Sequence, residues 1–141
     1  MTFLVDTSVW SLALRRDTPA DVPEVQVLID ALAGTEVVVI TGLVLQELLQ
    51  GFNGPKAASA IIERFNALAL VEPSREDYIA AAEVRNTCRQ AGVQIGTIDA
   101  LIAQLCISND LTLLTTDQDF VHAAKHCKLR VWSPKTRPKR R

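Results

Sequence analysis

Several residue types that mark large protein classes are scarce in this chain. Its 141 residues include three cysteines, Cys88, Cys106 and Cys127, an odd number that never forms a CxxC pair. A disulfide framework or a thiolate zinc cage is therefore not expected, and the usage suits a reducing cytoplasm. The two histidines, His122 and His126, stand four apart beside Cys127, with no nearby Glu or third ligand to complete a transition-metal site. They are read as structural. No apolar run approaches the roughly 20 residues that a membrane-spanning helix needs. The opening Met1-Thr2-Phe3-Leu4-Val5-Asp6 lacks the basic-then-apolar order of a secretory leader. The turn Gly51-Phe52-Asn53-Gly54-Pro55 does not follow the GxxxxGK-Ser/Thr pattern of a phosphate-cradling loop. Aromatic residues make up 5% and are not interleaved with basic ones, so no base-stacking platform is announced.

What is present is an ordinary globular composition, 48% hydrophobic and 22% charged, long enough for one domain with a real core. The net charge of −1 conceals an asymmetry. From Lys125 to Arg141 there are eight basic residues and no acidic one; the preceding 124 residues hold seven basic and all 16 acidic residues, a net of −9. We read residues 1–133 as a folded body and 134–141 as a basic tail. Such a tail either attracts a polyanion while the body's acids hold a metal ion, or simply solubilises the chain.

Strand and helix signals alternate along the body. Phe3-Leu4-Val5 reads as a buried strand, and Asp6-Thr7-Ser8 as the cap of a helix carrying Val9, Trp10, Leu12 and Ala13. Asp21 and Pro23 open a second helix that Gly34 stops. Val37–Ile40 is β-branched throughout, the pattern of a strand covered on both faces. Thr41 caps a helix reaching Gln50, Pro55 opens another, and residues 68–71 form a brief strand. Ser74 caps a long helix to Gly92, with Asp77 in the capping-box position. Thr97 caps the helix of Ile98, Leu101, Ile102 and Leu105; a strand (111–114), a helix (120–126) and a last strand (129–132) follow. Trp10 and Trp132 lie in apolar stretches and are expected in the core. The alternation predicts an α/β fold, a parallel sheet between helical layers, with ligands bound beyond the carboxyl ends of the strands. Asp6 and Asp117 both follow such ends.

Four acids stand out, each with a plain structural alternative. Asp6 is placed to cap a helix. Glu47 lies in the apolar run Leu43-Val44-Leu45-Gln46-Glu47-Leu48-Leu49, so it is either at an exposed edge or buried beside a cation. Asp99, at the start of an otherwise apolar helix, complements the helix dipole. Asp117 or Asp119 caps the helix that follows. Brought together, the four cannot all stay ionised without positive charge, because two carboxylates 4 Å apart repel by roughly 4 kcal/mol at an effective dielectric of 20. All-oxygen donors suit Mg²⁺ or Mn²⁺, and the hydroxyls of Ser8, Thr115 and Thr116 are placed to orient the carboxylates or the metal's waters.

Asp6-Thr7-Ser8, Glu47, Ile98-Asp99-Ala100-Leu101-Ile102-Ala103 and Leu113-Leu114-Thr115-Thr116-Asp117-Gln118-Asp119-Phe120 together resemble a PIN domain, and more narrowly a VapC-type toxin of bacterial toxin–antitoxin pairs. The resemblance runs from Phe3 to about Trp132. It implies a three-layer α/β/α sandwich and a Mg²⁺- or Mn²⁺-dependent endoribonuclease, cytoplasmic and homodimeric, acting on RNA and held by an antitoxin protein. Asp6 and Asp99 match the family's most direct metal ligands, Glu47 and Asp117 its second acidic pair, and Asp119 a supporting position. All four are expected to be catalytic and metal-binding. Arg15, Arg16, Arg85 and Arg89 are candidate phosphate contacts, with solvated surface as the plainer reading. A haloacid-dehalogenase-type phosphatase would want a second Asp where Ser8 stands. The remaining rival is a non-catalytic PIN-like module that binds RNA or protein.

Overall fold

Successive residues of a strand face opposite sides of its sheet, so a strand buried at every position is covered on both. In the computed structural model, which describes residues 1–15, 21–52 and 54–134, this condition holds for Phe3, Leu4 and Val5 and again for Leu113 and Leu114. These residues belong to β1 (Thr2–Val5) and β4 (Thr112–Leu114), two of the three inner strands of a sheet completed by β2 (Val37–Ile40), β3 (Ala69–Leu70) and β5 (Arg130–Val131). The order is β3-β2-β1-β4-β5 and every pair is parallel. Parallel neighbours need crossover connections. Here these are helical: α1 (Thr7–Leu14), α2 (Pro23–Asp30), α3 (Gly42–Gly51), α4 (Pro55–Asn66), α5 (Arg75–Gln90), α6 (Thr97–Ser108) and α7 (Gln118–Ala123). The result is a three-layer α/β/α sandwich.

The main core gathers Leu4, Val9, Leu28, Val44, Leu48, Phe65, Ile102 and Leu114 around the sheet. A second cluster, with Ala81, Val84, Cys88, Leu101 and Ala123, joins α5, α6 and α7. Trp10 is core as expected, its ring 4.6 Å from that of Phe65, although its indole N–H is buried without an acceptor. Trp132 departs from expectation: it is only half-buried, at the rim of the core. Cys88, Cys106 and Cys127 are all free thiols. No helix among the described residues is long and apolar enough to cross a membrane.

The elements differ from the sequence-based expectation mainly at their ends. The two edge strands shrink to two residues each, a short-edge arrangement that limits pairing with other chains. Thr97 is the first residue of α6 and Gly96 holds the cap position, so Asp99 is the third helical residue. Helix α7 starts two residues earlier than expected and ends at Ala123. There the bonds tighten to three-residue spans, Lys125 N–H to His122 O at 3.2 Å and His126 N–H to Ala123 O at 2.9 Å. Helix α2 runs into a π turn (Ala31–Thr35), which Gly34 closes with φ 115°, a left-handed conformation that favours glycine. Residues 16–20, 53 and 135–141 lie outside the described residues, and with them Arg16 and all but Pro134 of the expected tail.

The strand order places the site. From β1 the chain moves outward through β2 and β3 on one side, then returns to lay β4 on the other. The order therefore reverses between β1 and β4, and in open parallel sheets that reversal leaves a crevice beyond the carboxyl ends. Asp6 N–H donates to Leu114 O at 2.9 Å, joining the two strands at its mouth.

Candidate active site: an acidic crevice at the switch point

Asp6 occupies the cap position of α1, yet its side chain makes no capping bond to the helix. Its Oδ2 instead accepts the hydroxyl of Thr115 at 2.8 Å and that of Ser8 at 3.0 Å. Each hydroxyl oxygen in turn accepts a backbone N–H: Ser8 Oγ from Thr116 at 3.1 Å, Thr115 Oγ1 from Asp117 at 3.0 Å. The two hydroxyl oxygens also lie 3.3 Å apart, so they form one cluster around a single oxygen of a buried carboxylate. Burial is the strongest influence on Asp6 and raises its pKa, the Thr115, Ser8 and Thr7 hydrogen bonds pull the other way, and Glu47 adds a small upward push. The expected orienting hydroxyls are therefore Ser8 and Thr115; Thr116 contributes through its backbone.

Asp99 reports on the other acids. Half-buried on α6, it has its pKa pushed up to about 6, first by burial and then by the negative charges of Asp6, Asp117, Glu47 and Asp119, in that order. Acids from the β1–α1 junction, α3, α6 and the β4–α7 turn therefore share one field. Glu47 takes the exposed-edge option: α3 buries Val44 and Leu48 and leaves Glu47 on its rim, where Oε1 accepts the Thr7 hydroxyl at 2.7 Å. Sequence alone assigned Thr7 no role of its own, and a contact spanning 40 positions leaves no local signal. Asp117 is half-buried and does cap α7, through Oδ1 to Asp119 N–H at 2.9 Å.

Among the described residues, the donor set is one of carboxylates without a resident counter-charge. Neither of the two ion pairs among the described residues, Met1 amine–Glu36 and Arg130–Asp110, involves these acids. No three His, Cys, Asp or Glu side chains among the described residues meet closely enough to cage an ion as they stand. Mutual repulsion favours that spread, and it adds to burial in raising the Asp99 pKa. Hard oxygen donors under uncompensated negative charge fit a hard divalent cation such as Mg²⁺.

The other candidates fall elsewhere. Arg85 is half-buried, and its Nε donates to Ile95 O at 3.1 Å, tying α5 to the loop before α6. Arg89 bonds Asn86 on its own helix at 3.0 Å, and Arg15 is exposed at the end of α1.

A doubly covered parallel sheet with carboxylates sharing one field beyond its switch point defines an α/β protein with an acidic site at the carboxyl ends of its strands. The chain belongs to the PIN domain family, which it matches over residues 3–126. Its fold is similar to that of VapBC2 from Rickettsia felis, solved bound to a DNA fragment from their promoter, at a TM-score of 0.73 and 22% identity over 94% of this chain and 100% of that one. FitAcB from Neisseria gonorrhoeae is similar at a TM-score of 0.71 and 25% identity, covering 94% and 98% of the two chains. A Sarcin-Ricin loop cleaving VapC toxin of Mycobacterium tuberculosis is similar at 0.62 and 22%, covering 91% and 98%. No curated protein matches the chain.

Proposed function

We propose that this chain is a metal-dependent endoribonuclease, the toxin of a toxin–antitoxin pair, which hydrolyses RNA phosphodiester bonds with metal-activated water. The observation that carries the reading is Asp99, whose ionisation is opposed first by burial and then by the charges of Asp6, Asp117, Glu47 and Asp119, brought in by the β1–α1 junction, the β4–α7 turn and α3. Asp6 and Asp99 would hold Mg²⁺ or Mn²⁺, with Glu47 and Asp117 as the second pair. The ion, when bound, supplies a water of lowered pKa and neutralises charge on the phosphate. The chain's own part is positioning. Thr115 and Ser8 fix the Asp6 carboxylate, Thr7 steers Glu47, and Asp117 is held at the mouth by capping α7. The antitoxin partner belongs to the same proposal, supported by the likeness to VapBC2 and FitAcB; a homodimeric assembly and a cytoplasmic setting are proposed with it on the family resemblance alone.

A non-catalytic RNA- or protein-binding module is the second reading, favoured by the spread of the acids. Cleavage of mixed RNA separates the two. We expect cutting with Mg²⁺, none with EDTA, and a loss of about a hundredfold or more in Asp6→Asn and Asp99→Asn. Equal cutting by the Asn variants would mark a contaminant and leave the binding module standing.

A further inference from the structure

A second cleft lies beside the acidic crevice. It has a volume of about 520 Å³ and is lined by Gly92, Val93 and Gln94 on one wall and by Asp119, His122, Lys125 and His126 on the other. In the sequence the two histidines lack a third ligand for a metal site, and the structure supplies none among the described residues. What it adds is Lys125 and a neighbour. Asp119, in the first turn of α7, lines this cleft and donates its N–H to Asp117 Oδ1 at 2.9 Å. The cleft and the crevice therefore adjoin through one residue.

The lining is graded. Asp119 stands at the crevice end, His122 in the last turn of α7, and Lys125 and His126 on the turn beyond. All three basic side chains are exposed, and among the described residues none has an ion-pair partner. The opposite wall is uncharged. Gly92, at φ 83°, holds a conformation that other residues rarely adopt, and a Cβ there would meet nothing within 4 Å. Elsewhere the body is acidic, so a polyanion reaching the crevice needs a cationic approach. From Phe120 to Arg141 the chain carries no acid.

We propose that this cleft seats backbone phosphates of the RNA strand whose scissile bond lies in the acidic crevice, with Lys125, His126 and His122 as the phosphate donors. This rests on the nuclease reading for its substrate, but its test does not need cleavage. Lysine and imidazole N–H groups donate to phosphate oxygens without reading the base, so the contacts position the strand and carry no sequence preference.

Binding of a short single-stranded RNA is measured in EDTA across a salt series, with duplex DNA as a second probe. Lys125→Gln combined with His126→Gln should weaken RNA binding roughly fivefold. The salt slope should fall by about 0.7 for each phosphate no longer neutralised. Lys56→Gln on α4, outside the lining, should match the wild type. In Mg²⁺ the double variant should raise KM and leave kcat unchanged. Unaltered RNA affinity and salt slope in the double variant would overturn the proposal, as would a loss confined to duplex DNA or no RNA binding by the wild type. If the wild type binds through the cleft yet never cuts, the nuclease reading fails and the cleft stands.

Discussion

Two buried aspartates at two helix starts meet opposite fates. Asp77, 7% exposed on α5, closes a capping box: its Oδ2 accepts Ser74 N–H at 2.9 Å and the Ser74 hydroxyl at 3.1 Å, while its own N–H donates to Ser74 Oγ at 3.2 Å. The Ser74 backbone bond is the strongest influence, and the Asp77 pKa is lowered. Asp6, 6% exposed at the start of α1, is denied the capping bond, is turned toward two hydroxyls, and has its pKa raised. Their surface exposure is alike, but Asp6 lies deep enough for burial to be the largest influence on it, whereas at Asp77 the Ser74 backbone bond outweighs burial. The decisive difference is whether donors outweigh desolvation and neighbouring charge. Asp77 stabilises the fold; Asp6 and Asp99 cost it stability, as groups kept for another task do.

That contrast can be tested in order of expected effect. Thr115→Val removes the buried donor from Asp6 and should lower Mg²⁺-dependent RNA cleavage by about ten- to a hundredfold while the circular dichroism spectrum is kept. Full activity would mean that the hydroxyl pair does not position the carboxylate. Asp77→Ala should lower unfolding stability in urea by about 1–2 kcal/mol and leave metal-dependent cleavage per folded molecule unchanged. Asp99→Asn should move the other way, raising the melting temperature in EDTA by a smaller amount, with the gain shrinking or reversing in Mg²⁺. A lower melting temperature in EDTA would show that the acids are not crowded.

The smallest effect is the pH response of the metal-free protein. Asp99 binds its proton more tightly folded than unfolded, so acidifying from about 6 toward the ordinary 3.8 favours the folded state. Asp77 has the opposite sign: its contribution is present above 3.8 and is lost as the pH falls through its lowered pKa. Stability in EDTA should therefore rise between about pH 6 and 4 and fall below it, and Asp99→Asn should flatten the rise. A flat wild-type profile in that window would contradict the shared field.

Sequence carried the sheet and the acid positions well, because both are local. Phe3 to Asp6 and Leu113 to Asp117 each state a buried strand and the polar residue at its end within a few positions. It carried ends and orientations poorly. Nothing local distinguishes Thr97 as first helical residue from Thr97 as cap, and the end of α7 depends on how Lys125 and His126 turn back on the helix. For Glu47 the apolar run left two options open, and the choice rests on which flank of α3 packs inward. Asp117 shows a limit of another kind, since it fills the plain capping role and still stands among the acids.

The first turn of α1 holds both flanks of the crevice. Thr7 reaches across to α3 and Ser8 reaches back to the β4–α7 turn, one residue apart and in different directions. A small tilt of that one helix would therefore be felt on both sides together. The spacing of the acids is set by a lever, not by independent posts, and whatever leans on α1 from outside leans on the chemistry.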